Sequence, residues 1–285
     1  MSGNPSLSLN LVEDIRQLTT FTFMVNALEA GTIVAVLGAV TGWYVVLRRQ
    51  AFAGHTLSVM AFPGATGAAL LGIPTSLGYY LACGAAALLM RGTGRARAAS
   101  RSAETAAVGT IQAAGLAAGY LFLSLNQQLL TGTETLLFGT FLGISRSQVV
   151  VLLAVAAGAL LAVAVCARPL LLATLDREVA RAGGLPVAAL DLGFLLILAA
   201  AVATTSQITG ALLVFALLIA PAAAAQQVTM RPLRSLALSV VFALLVVWLG
   251  LGVAYFSPYP VGFWITTFAF GLYLLAAGGR RLARA

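Results

Sequence analysis

Few side chains in this sequence are equipped for chemistry, and their types narrow what that chemistry is. There is one histidine, His55, and one acid, Glu29, inside a long apolar run near the N-terminus. Four charges crowd together further on: Asp176, Arg177, Glu178 and Arg181, followed by Gly183-Gly184 and Pro186. A single imidazole excludes an H-E-x-x-H metalloprotease, and no Ser–His spacing or paired Asp supports hydrolysis within the membrane. Cys83 and Cys166 each sit within apolar runs; with neither zinc spacing nor a disulfide framework, they read as small buried hydrophobes. All 16 basic residues are Arg. Without Lys the chain cannot form the G-x-x-x-x-G-K-[ST] phosphate loop, so ATP-driven work requires a partner.

The elements that hold these residues follow from composition. The 285 residues are 61% hydrophobic and 8% charged, against about 25% charged in a soluble domain. A transmembrane helix needs roughly 20 consecutive apolar residues. Such runs fall near 21–47, 51–72, 75–91, 104–125, 148–172, 188–206, 209–229, 233–256 and 261–279. The expected architecture is therefore all-α and polytopic, with about nine spans. A polar tail over 1–20, carrying acids unlike a secretory signal, precedes a single transmembrane domain over 21–285.

Arginine placement orients the spans. With Arg48 and Arg49 in the cytoplasm, alternation also puts Arg91, Arg95, Arg97, Arg101, Arg168, Arg177, Arg181, Arg231, Arg234, Arg280, Arg281 and Arg284 inside. Only Arg16 and Arg146 fall outside. The expected topology has the N-terminus extracytoplasmic and the C-terminus cytoplasmic, in a bacterial inner (plasma) membrane. The net charge of +8 then anchors cytoplasmic loops to the membrane surface, and nucleic acid is not an expected partner.

The charged quartet lies on the cytoplasmic side and reads as a short helix, about 174–185. Asp176 and Glu178 in its first turn and Arg181 in its last complement the helix dipole. Gly183-Gly184 supply a left-handed cap and Pro186 prevents continuation. Leu175, Val179 and Ala182 share a face. So short a helix is marginal in water, and two readings stand: a solvated loop helix, or a plug for a cytoplasmic partner. On the outer side, Thr133 to Ser145 is too short to span and reads as re-entrant or interfacial. Pro221 predicts a kink within its span. Glu29 either snorkels outward or draws cations toward the membrane. Asp191 and Glu104 read as structural acids near helix N-termini.

Several strings, in order, resemble one family. They are "WYVVLRRQAFAGHTLSVMAFPG" (Trp43 to Gly64), "LLFGTFLGIS", "DREVARAGGLPV" and "GALLVFALLIAPAAAA". Together they resemble permease subunits of zinc/manganese-type ABC importers, relatives of the vitamin B12 and siderophore permeases. The resemblance covers about residues 21 to 279. It implies a homodimer around one pathway, two copies of a separate P-loop ATPase carrying ATP and magnesium, and an extracytoplasmic solute-binding protein. The segment from Asp176 to Gly184 would be the coupling helix, with Asp176, Arg177, Glu178, Arg181 and Gly184 engaging the ATPase. The chain itself would be no enzyme and hold no cofactor.

The resemblance also implies a pathway along the second span. The family carries Asp and, four residues later, His before a Pro-Gly pair; here His55 and Val59 stand at those positions, before Pro63 and Gly64. His55 is thus either a packing residue or a metal ligand. As a ligand, it would meet its copy across the dimer, with Ser58 adding a hydroxyl; neutral imidazole suits zinc. Glu29, His55, Ser58, Val59 and Pro63 are the expected pathway residues, and zinc or manganese the expected cargo. The alternatives are an iron chelate or haem as cargo, or a stand-alone secondary transporter or channel.

Overall fold

The computed structural model describes residues 16–18, 20–96, 101–126, 139 and 143–282, and for 93–96, 101–104 and 212 the backbone alone. Outside this set lie most of the tail over 1–20, most of the segment Thr133–Ser145, Arg97 and Arg284, and the side chains of Arg95, Arg101 and Glu104. The described residues are all-α. The elements are α1 (Thr22–Leu47), α2 (Ala51–Leu70), α3 (Thr75–Ala96), α4 (Arg101–Leu125), α5 (Arg146–Leu175), α6 (Arg177–Ala182), α7 (Val187–Val228), α8 (Pro232–Phe256) and α9 (Val261–Leu282).

Six described segments are long and apolar enough to cross a membrane: Thr22–Leu47, Thr105–Leu125, Arg146–Leu175, Val187–Ala211, Pro232–Phe256 and Val261–Leu282. Their backbone groups bond internally, as hydrocarbon requires. Large apolar side chains stand exposed along them, as on α5 (Val150, Val151, Leu153, Leu161, Val165). In water such a surface would aggregate; in a bilayer it is the solvated face. α1 is 67% buried across its most apolar window and α9 only 11%. That makes α1 a core helix.

The chain divides into two compact units. The first comprises Met1–Trp43, Thr140–Ala154 and Ala216–Ala285. In it, short polar side chains of α8 tie to α1: Trp43 Nε1 donates to Ser235 Oγ at 3.0 Å and Ser239 Oγ to the Ala39 carbonyl at 3.2 Å. The C-terminal part of α7 also crowds α1, where a Cβ on Gly42 would fall 1.8 Å from the Leu218 carbonyl oxygen.

The second unit comprises Tyr44–Gly139 and Val155–Phe215. Here α2 packs along α3 and α4. A Cβ on Gly64 would lie 2.4 Å from the Gly78 carbonyl oxygen, so α2 and α3 touch backbone to backbone. Cys83 is fully buried and donates to the Leu57 carbonyl; Thr56 donates to Gln112 Oε1 at 2.9 Å, tying α2 to α4. The tight turn between α2 and α3 is made by Gly72 at φ 68°, one of the left-handed positions open to glycine.

Within α7 the runs 188–206 and 209–229 are two helical stretches that meet at a kink, where Gly210 adopts φ 75°, ψ 159°. The break falls at Gly210, and Pro221 lies inside a helical stretch. A hydroxyl-rich segment precedes it. The hydroxyls of Thr204 and Thr205 bond back to the Ala200 and Ala201 carbonyls, satisfying themselves within their own helix. Only glycine adopts that backbone region readily.

Candidate functional site

His55 sits in the first turns of α2, at the end reached directly from α1 through the link Arg48-Arg49-Gln50. Its ring meets Phe215 edge-on at 4.7 Å between centroids. The imidazole Nδ1 is buried and has no hydrogen-bond partner in the protein. Such an orphaned acceptor costs free energy unless a ligand or water meets it. Ser58 is fully buried and donates its proton to the His55 carbonyl at 2.8 Å, leaving only its lone pairs to offer. Val59 is buried, and Pro63 packs against α4, where a Cβ on Gly119 would lie 3.1 Å from the Pro63 Cα. His55, Ser58 and Val59 therefore cluster on one helix segment, whereas Pro63 serves the α2–α4 contact. Among the described residues no group of three or more His, Cys, Asp or Glu side chains could hold a metal ion.

Glu29 pairs with Arg146, and Asn26 nearby donates to the Ile144 carbonyl at 3.0 Å. Both contacts fix the start of α5 to α1. Glu29's charge is thereby engaged by an arginine, with both side chains partly exposed.

The charged quartet forms α6, and local chemistry explains each end. Asp176 has extended backbone angles and its carboxylate accepts from the Glu178 and Val179 amides, both at 3.0 Å, as an N-cap should. At the other end Leu185 N–H bonds the Ala180 carbonyl and Gly184 N–H that of Arg181, with Gly184 at φ 79°. That pair of bonds is the Schellman motif. Ala180 is fully buried against Ala173 and Val187, flanked by Leu185 and Leu190, and so roots the helix in its own chain. The opposite face is open: Leu175 and Val179 are 66% and 54% exposed, and Ala182, Glu178 and Arg181 are also exposed.

Arg177, half exposed, also has a partner within the chain. It pairs with one oxygen of Asp191 in α7, and the other oxygen of that carboxylate takes Arg48. Arg48 is only 4% exposed, donates to Thr174 Oγ1 and Gln50 Oε1, and lies 5.0 Å over the Phe194 ring. Sequence reading treated Asp191 as a simple helix-terminus acid and missed this bridge. The available signal was the isolation of Asp191: few other acids are free to neutralise the Arg48-Arg49 pair. Another missed feature is the close approach of Gly139 to α7, where a Cβ on Gly139 would fall 2.3 Å from the Ile208 carbonyl oxygen, beside the Gly210 break.

Comparison with known proteins places these features in context. A model of the family described as the ABC 3 transport family matches residues 20–278. The chain is 30% identical over 236 residues to the manganese transport system membrane protein MntC of Halalkalibacterium halodurans, covering 83% of this chain and 80% of that protein. It is 32% identical over 207 residues to the chelated iron transport system membrane protein YfeD of Yersinia pestis, covering 70% and 66%. Its fold superimposes on a chain of PsaBC from Streptococcus pneumoniae, solved in complex with Fab, with a TM-score of 0.82 and 25% identity over 94% of this chain and 95% of that one.

Proposed function

We propose that this chain, which belongs to the ABC 3 transport family, is the membrane-spanning permease subunit of an importer for a divalent transition-metal ion, zinc or manganese. The observation that carries the reading is α6: a capped helix rooted by Ala180, turning an apolar face outward, on a chain with no phosphate loop. An exposed apolar helix face rimmed by charge is a docking surface. In this reading two copies of a separate ATPase, holding ATP and magnesium, seat on α6 of two permease copies. A solute-binding protein delivers the ion from outside. Relatives named for manganese transport support that cargo.

The topology belongs to the same proposal. α2 has 20 residues, about 30 Å at 1.5 Å per residue, and α3 has 22. With α7 crossing on both sides of Gly210, about nine spans result, with the N-terminus outside and the C-terminus inside. In this reading His55 faces its copy across the dimer, and its unpartnered Nδ1 supports a ligand role. Two imidazoles make a weak, passing site, as conduction requires.

Co-expression with its partner P-loop ATPase is the test: a stable complex of the two in detergent is expected. A permease that purifies alone and still accumulates manganese in vesicles rules the reading out in favour of a secondary transporter. A second cargo, chelated iron, is favoured by the similarity to YfeD. Competition of manganese uptake by chelated iron separates the two.

A further inference from the structure

The second unit contains a bridge of side chains that joins α6 to the start of α2. Asp191 presents one carboxylate oxygen to Arg177, the first residue of α6, and the other to Arg48, which follows the last residue of α1. Arg48 in turn donates from Nε to Gln50 Oε1 at 3.1 Å, and Gln50 is the N-cap residue of α2, the helix that carries His55. A further Arg48 bond reaches Thr174 in the last turn of α5. The ends of α1 and α5 and the starts of α2 and α7 therefore meet at one buried guanidinium, and α6 joins them through the Asp191 carboxylate.

Charge and backbone both single this bridge out. Arg48 is 4% exposed and Asp191 24%, so the pair sits away from bulk solvent, where either partner left alone is costly. The buried Phe194 ring stacks against the Arg48 guanidinium. Between Arg48 and Gln50, Arg49 adopts φ 56°, a left-handed conformation that side chains other than glycine seldom take. The amides of Arg49 and Gln50 bond the Val46 and Val45 carbonyls, so α1 ends in the glycine-type cap without a glycine. The link from α1 to α2 is thus held in one strained form by the contacts on either side of it.

We infer that Asp191, with Arg48 and Arg177, is the positioning network that passes displacement of α6 into the α1–α2 link, and so into the helix bearing His55. This rests on the permease reading above, in which α6 is the ATPase contact. Arg177 spends its charge on Asp191 rather than on the ATPase, while the exposed face of Leu175, Val179 and Ala182 makes the contact. Docking and transmission thereby fall to different side chains of the same short helix.

The test uses the full complex in vesicles, with ATP inside the compartment of the ATPase and manganese(II) as transported probe. The quantity read is manganese delivered per ATP hydrolysed. Arg177→Gln, at the exposed end of the bridge, should lower that ratio by roughly tenfold, within the usual range of coupling free energies. Arg177→Lys should restore most of it, and the complex should still co-purify. Asp191→Asn should lower the ratio at least as far. A wild-type ratio for Arg177→Gln in an intact complex overturns the network, as does an equal loss for the Lys variant. If the wild-type chain neither binds the ATPase nor delivers manganese, the permease reading itself has failed, which is a separable result.

Discussion

At the scale of single residues, two positions carry sharp expectations. His55 Nδ1 is buried without a protein partner. If it meets the ion, His55→Ala should slow manganese uptake by roughly tenfold or more, the size of effect usual around metal ligands, while His55→Asp keeps a ligand and retains more transport. Uptake of the wild-type rate by His55→Ala would leave the residue a packing role against Phe215. Gly210 holds φ 75°, ψ 159°. A side chain there is strained, so Gly210→Ala should destabilise the protein by about 1–3 kcal/mol, measured as a lower midpoint of thermal aggregation in detergent. An unchanged midpoint would show that the backbone relaxes. Only part of this was legible beforehand. His55 declares itself as the one imidazole, but Gly210 is one of 29 glycines, and its special angles arise from packing that no local pattern encodes. Pro221 drew attention because its chemistry is local, yet α7 absorbs it without a break.

At the scale of elements, α6 was readable almost whole. Its dipole-matched charges and its Gly-Gly-Pro stop are local signals that act within two turns, but the expected 174–185 narrows to Arg177–Ala182, because Thr174 and Leu175 close α5 and Asp176 caps α6 from outside its first turn. What local signals could not reveal is which face points where. Ala180 turns inward, because α5 and α7 supply Ala173 and Val187 to meet it, and Arg177 turns to Asp191, fourteen residues on. The long-range Arg48–Asp191 pair was invisible for the same reason. Exposed Val179 gives the cleanest element-level test. Val179→Asp removes an apolar docking contact worth about 1.5–3 kcal/mol and adds a charge, so ATPase affinity should fall by about tenfold to a hundredfold while the permease alone keeps its thermal stability. Weakened stability with normal affinity would mean that this face packs on the permease itself. Asp176→Ala should act in the same direction more mildly, costing about 1 kcal/mol of helix stability.

At the scale of the molecule, class and membrane location follow from composition, because a chain with 8% charge cannot clothe a water-soluble body. The helix order from α1 to α9 follows the predicted runs, with α7 carrying two of them on either side of Gly210. Arginine sorting predicts a topology with the C-terminus inside, a prediction open to direct measurement. Single cysteines introduced near Arg231 and Arg280 into a chain lacking Cys83 and Cys166 should react with impermeant reagent only from the cytoplasmic side; labelling from outside would invert the arrangement. The account as a whole stands on an ion pathway driven by a separate engine through α6. Vesicles containing the permease, its ATPase and its binding protein should accumulate manganese(II) with ATP, and Val179→Asp should abolish that accumulation while leaving the permease folded. Accumulation by the permease without the ATPase, or undiminished accumulation by Val179→Asp, would contradict it.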